Sequence, residues 1–268
     1  PYYLQVVSAG NSGQDNYNGP SFSGYDKLTN EKNSKNNLVV ANAYDAGIST
    51  SGELTSLNIN PSSSQGPTDD GRIKPDITGN GTQLYSPIDT DIDAYGSYSG
   101  TSMAAPNVAG SILLLQQYYN DINNSFMKSS MLRGLVCHTA DDNLNSNGPD
   151  PIFGWGLLNV KKSAETILEA SNGNAILSEH TLNDGVVYST TFNTSSNGPV
   201  SATICWTDPA GSAQDSSTPN NTTAVLENDL DIVITGPDGT NYYPWLLNPP
   251  SPLYAIKGDN TVDNIENI

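Results

Sequence analysis

The chain has 268 residues, 35% of them hydrophobic, enough for one large domain or two ordinary ones with a real core. Ten Lys and Arg stand against 28 Asp and Glu, a net charge of −18, and such a surface repels phosphate backbones and argues against nucleic-acid binding. No apolar run approaches the roughly 18 residues of a membrane span. The acidic surface favours solubility and leaves two readings open, a solvated face or a binder of hard cations such as calcium.

The chain opens Pro1-Tyr2-Tyr3-Leu4 without an initiator Met or a signal peptide, and reads as a fragment or processed product. Leu4 to Ala9 is a short apolar strand running into Ser8-Ala9-Gly10-Asn11-Ser12-Gly13, a turn at the strand's C-terminal end. That edge is where sites sit in open α/β sheets. Leu38 to Ala43 is a second apolar strand, suited to a sheet buried on both faces. Leu57 to Ile88 reads as loop. Ser102 opens a helix reaching about Tyr119, on which Val108, Ile112, Leu115 and Tyr119 share a face. A second helix is expected from Phe126 to Cys137. A third runs from Val160 to Ala170, with Asn159 as N-cap and Gly173 at its end.

After Gly173 the period changes to two. Val186-Tyr188-Thr190-Phe192, Ala202-Ile204-Trp206 and Leu230-Ile232-Ile234 alternate, with turns at Asn197-Gly198-Pro199 and Gly236-Pro237-Asp238-Gly239. The chain therefore divides into an α/β part, 1–172, and an all-β part, 173–268. Cys137 and Cys205 fall in different parts, show no metal-type spacing and read as buried free thiols.

The chemistry concentrates at Gly100-Thr101-Ser102-Met103-Ala104-Ala105-Pro106. A serine becomes a nucleophile when a base takes its proton and donors receive the oxyanion. Ser102 at a helix start has an amide unused by the helix, and the positive helix end favours negative charge. Gly100 admits a close backbone approach. Pro106 is expected near the first turn, where a missing N–H costs little. The Asn11 carboxamide is the second candidate donor, if the strand end and the helix start converge. The ordinary readings are a helix N-cap for Ser102 and a turn residue for Asn11.

These segments resemble the nucleophile motif and the oxyanion-Asn motif of the subtilases, the subtilisin-like serine proteases. Lys74-Pro75-Asp76-Ile77 and Phe153-Gly154-Trp155-Gly156-Leu157-Leu158-Asn159 resemble two further subtilase landmarks, in the same order. Asn107 departs from the usual His beside the proline. The all-β part resembles the C-terminal sandwich of subtilases with a jelly-roll appendage, at Cys205-Trp206-Thr207-Asp208-Pro209, at 227–234, and at Asp263-Asn264-Ile265-Glu266-Asn267. The resemblance implies the C-terminal half of a parallel-sheet catalytic domain, followed by a β-sandwich that is cut short. It implies hydrolysis of extended polypeptides by a secreted enzyme, expected to be monomeric, with no cofactor for catalysis. Ser102 would be the nucleophile and Asn11 the oxyanion donor, with Ser8, Ala9, Gly10, Gly100 and Thr101 binding substrate. Structural calcium is expected by resemblance, with Asp208, Asp229 and Asp231 as ligand candidates.

Subtilases place Asp, then His, ahead of Ser. The two histidines, His138 and His180, both follow Ser102. His138 reads as packed or capping, His180 as a surface residue, and Asp76 as structural. The chain by itself is expected to lack a base, and so to be inactive. The alternatives are a pseudoprotease, or a β-sandwich whose own binding or stabilising role is the relevant one.

Overall fold

The computed structural model describes residues 2–15, 26–145, 147–194, 198–213, 220–248 and 251–268. Strand β1 (Val6–Ser8) pairs in parallel with β2 (Leu38–Ala43), with Val6 opposite Leu38. All six residues of β2 are buried, as a strand covered on both faces requires. A short hairpin follows, β3 (Gly47–Ile48) and β4 (Leu54–Ser56). Strand β5 (Ile77–Asn80) then adds to β2 in parallel, with Val40 opposite Ile77, and completes a three-stranded sheet in the order β1-β2-β5. A second hairpin, β6 (Leu84–Pro87) and β7 (Tyr95–Tyr98), leads directly into the first helix. The sequence reading took Leu57 to Ile88 as loop-rich and so missed β5 and β6. β5 is short and carries a glycine, and its strand character comes from pairing with β2 rather than from its own pattern.

Helix α1 (Thr101–Asn123) lies across β1, β2 and β5. The predicted face holds: Val108, Ile112 and Leu115 are buried against Leu38, Val40 and Ile77. Gly81 lets the helix start this close to the sheet, since a Cβ there would stand 2.6 Å from the Gly100 carbonyl oxygen and 2.7 Å from the Ala104 amide. Helices α2 (Ser129–His138) and α3 (Val160–Ser171) complete the layer through Leu132, Leu135, Val136 and Ile167. The Asn159 side chain caps α3 by accepting from the Lys162 amide at 2.9 Å. Gly173 follows that helix with a positive φ of 80°, as expected of a residue past a helix end.

Beyond residue 172 the described residues form three two-stranded antiparallel pairs. They are built from β8 (Thr203–Cys205), β9 (Ile234–Thr235), β10 (Asn241–Tyr242), β11 (Trp245–Asn248), β12 (Ser251–Lys257) and β13 (Ile265–Asn267). The pairs are β8 with β13, β9 with β10, and β11 with β12. The alternating stretch 186–192 forms no strand, and Val186, Val187, Tyr188 and Phe192 are exposed. An alternating pattern specifies a strand only where a neighbouring strand and an apolar face receive it. Asn197, in the expected turn before Pro199, lies outside the described residues.

The β8–β13 pair rests on α2, and a buried polar seam joins it to the sheet region. Lys35 pairs with Asp208. The Arg133 guanidinium donates to the Lys35 carbonyl, to the Asn264 backbone and side-chain oxygens at 2.8 Å each, and to the Cys205 sulfur at 3.2 Å. Asp263 accepts from the Ile73 amide at 2.9 Å. Cys137 and Cys205 are free thiols, as the sequence reading had them.

Candidate active site

The end of β1 and the start of α1 meet. Gly10 turns the chain with φ at 105°, and its amide donates to the Thr101 hydroxyl at 3.1 Å. That hydroxyl in turn donates to Asn11 Oδ1 at 3.1 Å, and the Thr101 amide donates to the same oxygen at 3.0 Å. Two donors on one oxygen fix the sense of the carboxamide, so Asn11 Nδ2 is the end left to serve a ligand. Gly100 has φ at 152°, a conformation that side chains rarely adopt, and a Cβ there would lie in ordinary contact with the Asn11 carboxamide, 3.5 Å from Nδ2. The Gly100 amide donates to the Gly81 carbonyl at 2.9 Å, which anchors the helix start to the C-terminal end of β5.

Ser102 is exposed, and neither its hydroxyl nor its amide has a partner among the described residues. A free hydroxyl, a free amide at a helix N-terminus and a free carboxamide N–H₂ thus come from adjoining segments, the equipment for a nucleophile with an oxyanion site. Pro106 differs from expectation. It lies inside α1, five positions past Thr101, and so removes the helical partner of the Ser102 carbonyl. Among the expected substrate contacts, Ala9 and Thr101 are fully buried. Thr101 orients Asn11 rather than facing outward, and Ser8 is a β1 residue paired with Val40. The β6–β7 hairpin, which leads into the helix start, is an element that the sequence reading missed. It exposes Tyr85, Tyr95 and Tyr98, with Tyr85 and Tyr95 stacked at 5.5 Å, and the Ser99 hydroxyl ties it down by accepting from the Gln83 amide at 2.9 Å.

Neither histidine is hydrogen-bonded to Ser102. His138 ends α2, shares a 2.8 Å hydrogen bond with the Thr203 hydroxyl, and is held below its usual pKa by burial. His180 is exposed, bonded to Ser178 at 2.8 Å and set against Tyr188 at 4.3 Å. Asp76 is structural in its contacts: it accepts from the Val39 amide at 2.6 Å and from Lys74 at 2.5 Å. Burial lowers the Lys74 pKa to about 8 in spite of that partner.

Of the calcium candidates, Asp229 and Asp231 lie close enough to Asp259 for burial and its charge to raise their pKa, whereas Asp208 is tied into hydrogen bonds of its own. Both Asp208 oxygens are engaged, one by Lys35 and the Glu227 amide, the other by the Asn228 amide and side chain. Burial works against its charge, and these donors outweigh burial, holding the carboxyl below its usual range. No group of three or more His, Cys, Asp or Glu able to hold a metal occurs among the described residues. Asp208 is thus spent on protein donors.

The model of the subtilase family matches residues 3–156. The chain is 29% identical to the serine protease/ABC transporter B family protein tagA of Dictyostelium discoideum over 63% of this chain and 11% of that protein. It is 35% identical to pyrolysin of Pyrococcus furiosus over 46% of this chain and 9% of that protein. It is 28% identical to the extracellular serine protease of Serratia marcescens over 59% of this chain and 15% of that protein. The chain thus spans a small fraction of the length of these relatives. Among the described residues no helix is long and apolar enough to cross a membrane. With a family match over more than half its residues, covering both the Asn11 turn and the Ser102 helix start, the chain belongs to the subtilase family.

Proposed function

We propose that the protein carrying this chain is a secreted serine endopeptidase that cleaves extended polypeptides. Ser102 Oγ attacks the scissile carbonyl carbon while a base takes its proton. The oxyanion is received by the Ser102 amide and Asn11 Nδ2. Collapse expels the amine, which takes the proton back from the base, and leaves an acyl-enzyme that water hydrolyses. The observation that carries this reading is the double hydrogen bond from Thr101 to Asn11 Oδ1, which turns Nδ2 outward beside the helix start.

Neither His138 nor His180 serves as the base in this reading; a histidine outside these residues does, oriented by an aspartate. Residues 1–268 alone are then inactive. Polypeptide substrates and secretion are supported by the family and by the extracellular Serratia relative. A jelly-roll sandwich around the β8–β13 pair would give the exposed 186–192 stretch an apolar face to cover. The test is a fluorophosphonate probe applied to the full-length protein. Labelling at Ser102 that vanishes in Ser102→Ala supports the peptidase. A folded full-length protein that takes no label and cleaves no unfolded casein is a pseudoprotease, and the reading is wrong.

A further inference from the structure

A cavity of about 200 Å³ opens at the far end of the sheet from Ser102. Its lining includes buried Trp155, whose backbone amide donates to the Asp76 carbonyl at 2.9 Å, just before β5 begins. Ser102 sits beyond the other end of β5, a strand of about 13 Å. The walls come from both regions of the chain: His138 at the end of α2, Asp142, and then Ser201, Trp245 and Asn267 from the β segment. The volume has room for several waters or for one or two small amino-acid residues.

The polar lining is selective. Trp155 Nε1–H is buried and has no partner among the described residues, and an indole N–H can only donate. It therefore calls for an acceptor. Asp142 is exposed at the mouth. One of its oxygens accepts from the Gly148 amide at 2.7 Å, and no basic side chain pairs with it among the described residues. Desolvation raises its pKa to about 6, which leaves it anionic at neutral pH. Asn267 spends its amide hydrogens on Thr203 at 2.7 Å and Ser201 at 3.2 Å, leaving Oδ1 as an acceptor. His138 is kept neutral by burial and does not repel a cation. Lys257 stands 3.8 Å over the Trp245 ring, so that ring already has its cation, and an incoming ammonium turns to the Asp142 carboxylate.

We propose that this cavity binds the amino end of a short peptide, the α-ammonium held by Asp142 at the mouth and the nearby backbone carbonyl accepting from Trp155 Nε1–H. A neutral amide carbonyl suits that donor better than a carboxylate, because one indole N–H does not offset burial of a full charge. The site does not depend on Ser102 being reactive. It would sense or retain peptides with free amino termini, which cleavage of a polypeptide generates.

The experiment is calorimetric titration of the full-length Ser102→Ala protein with alanyl-alanine amide, against its N-acetylated form. Saturable binding is expected for the free amine, at least tenfold tighter than for the acetylated probe. Asp142→Asn should erase that preference, and Trp155→Phe should weaken the free amine about tenfold. The indole N–H resonance of Trp155 should shift on addition of the free amine alone. Equal affinity for the two probes, or binding undiminished by Asp142→Asn, overturns the proposal; the latter would place the peptide in another cleft. Absence of saturable heat also overturns it, with water as the occupant. Should Trp155→Phe fail to fold, Asp142→Asn, whose side chain stands at the exposed mouth, decides the matter alone.

Discussion

The sheet region and the segment after residue 172 are held in opposite ways. In the sheet region a continuous apolar cluster, from Leu38 and Val40 through Val108 and Leu115 to Leu135 and Ile167, supplies the burial. In the later segment Leu247 and Ile265 are buried, but so are Asp208, Asn260, Asp263, Asn264 and Glu266. A segment that buries more polar than apolar side chains gains little from the hydrophobic effect and depends on its hydrogen bonds being complete. Those bonds run across the seam to Lys35, Arg133 and Ile73. The later segment thus takes its order from the sheet region through these bonds.

The largest expected effect breaks that seam. Arg133→Met keeps the apolar stem but strips the donors from the Lys35 carbonyl and from both Asn264 oxygens, all at a buried position. With about 1–3 kcal/mol for each buried acceptor left unmet, the loss should be about 3 kcal/mol or more. Amide exchange at β8 and β13 should accelerate, while β1, β2 and β5 stay protected. Equal acceleration in both regions would abolish the asymmetry between them.

A smaller effect concerns the polar contacts of the sheet region that serve chemistry rather than cohesion. Thr101→Val is nearly isosteric and removes the hydroxyl that bonds Gly10 and Asn11. With about 1 kcal/mol for a net hydrogen bond, kcat of the full-length enzyme on a peptide substrate should fall about fivefold with KM unchanged. Thr101→Ser should restore it. A change confined to KM, or no recovery in the serine variant, would mean that Thr101 packs and does not orient Asn11.

The same contrast explains what the sequence made legible. Leu38 to Ala43, the face Val108-Ile112-Leu115 and the Asn159 cap could be read because burial and local capping write themselves into periodicity and residue type. The Asn11 turn and the Ser102 helix start were readable from glycine placement and motif. That Thr101 joins the two was not, because the bond spans 90 residues and no local pattern encodes it. β5 and the β6–β7 hairpin escaped notice because their pairing partners determine them. The later segment was read as regular alternating strands, yet only short pairs formed, since its alternation specifies faces without supplying what covers them. The cavity was invisible for a related reason: its walls come from residues as far apart as His138 and Asn267.

The smallest expected effect is a pH slope that sets the later segment apart. Glu266 is fully buried; one carboxyl oxygen accepts from the Ile232 amide at 2.9 Å, and the other has no partner among the described residues. Burial, reinforced by the charges of Asp231, Asp229 and Asp259, pushes its pKa up to about 8 from an ordinary 4.5. Between those values the folded state holds a proton that the unfolded state has released. Stability therefore falls as pH rises through this window, by at most about 1.4 kcal/mol per pH unit. Asp263, raised by burial to about 6 from 3.8, adds a slope of the same sign at lower pH. Lys74, lowered to about 8 from 10.5, acts in the opposite sense above pH 8, where the unfolded state binds the extra proton. The clean interval for Glu266 is thus from about pH 6.5 to 8. Glu266→Gln keeps an oxygen for the Ile232 amide and has no proton to lose. Denaturant unfolding across that interval should show the native chain losing stability with pH and the variant nearly flat, so that the variant's advantage grows towards pH 8. Parallel slopes in the two proteins would mean that Glu266 is ionised and solvated in the fold, and that the later segment tolerates charge as readily as the sheet region does.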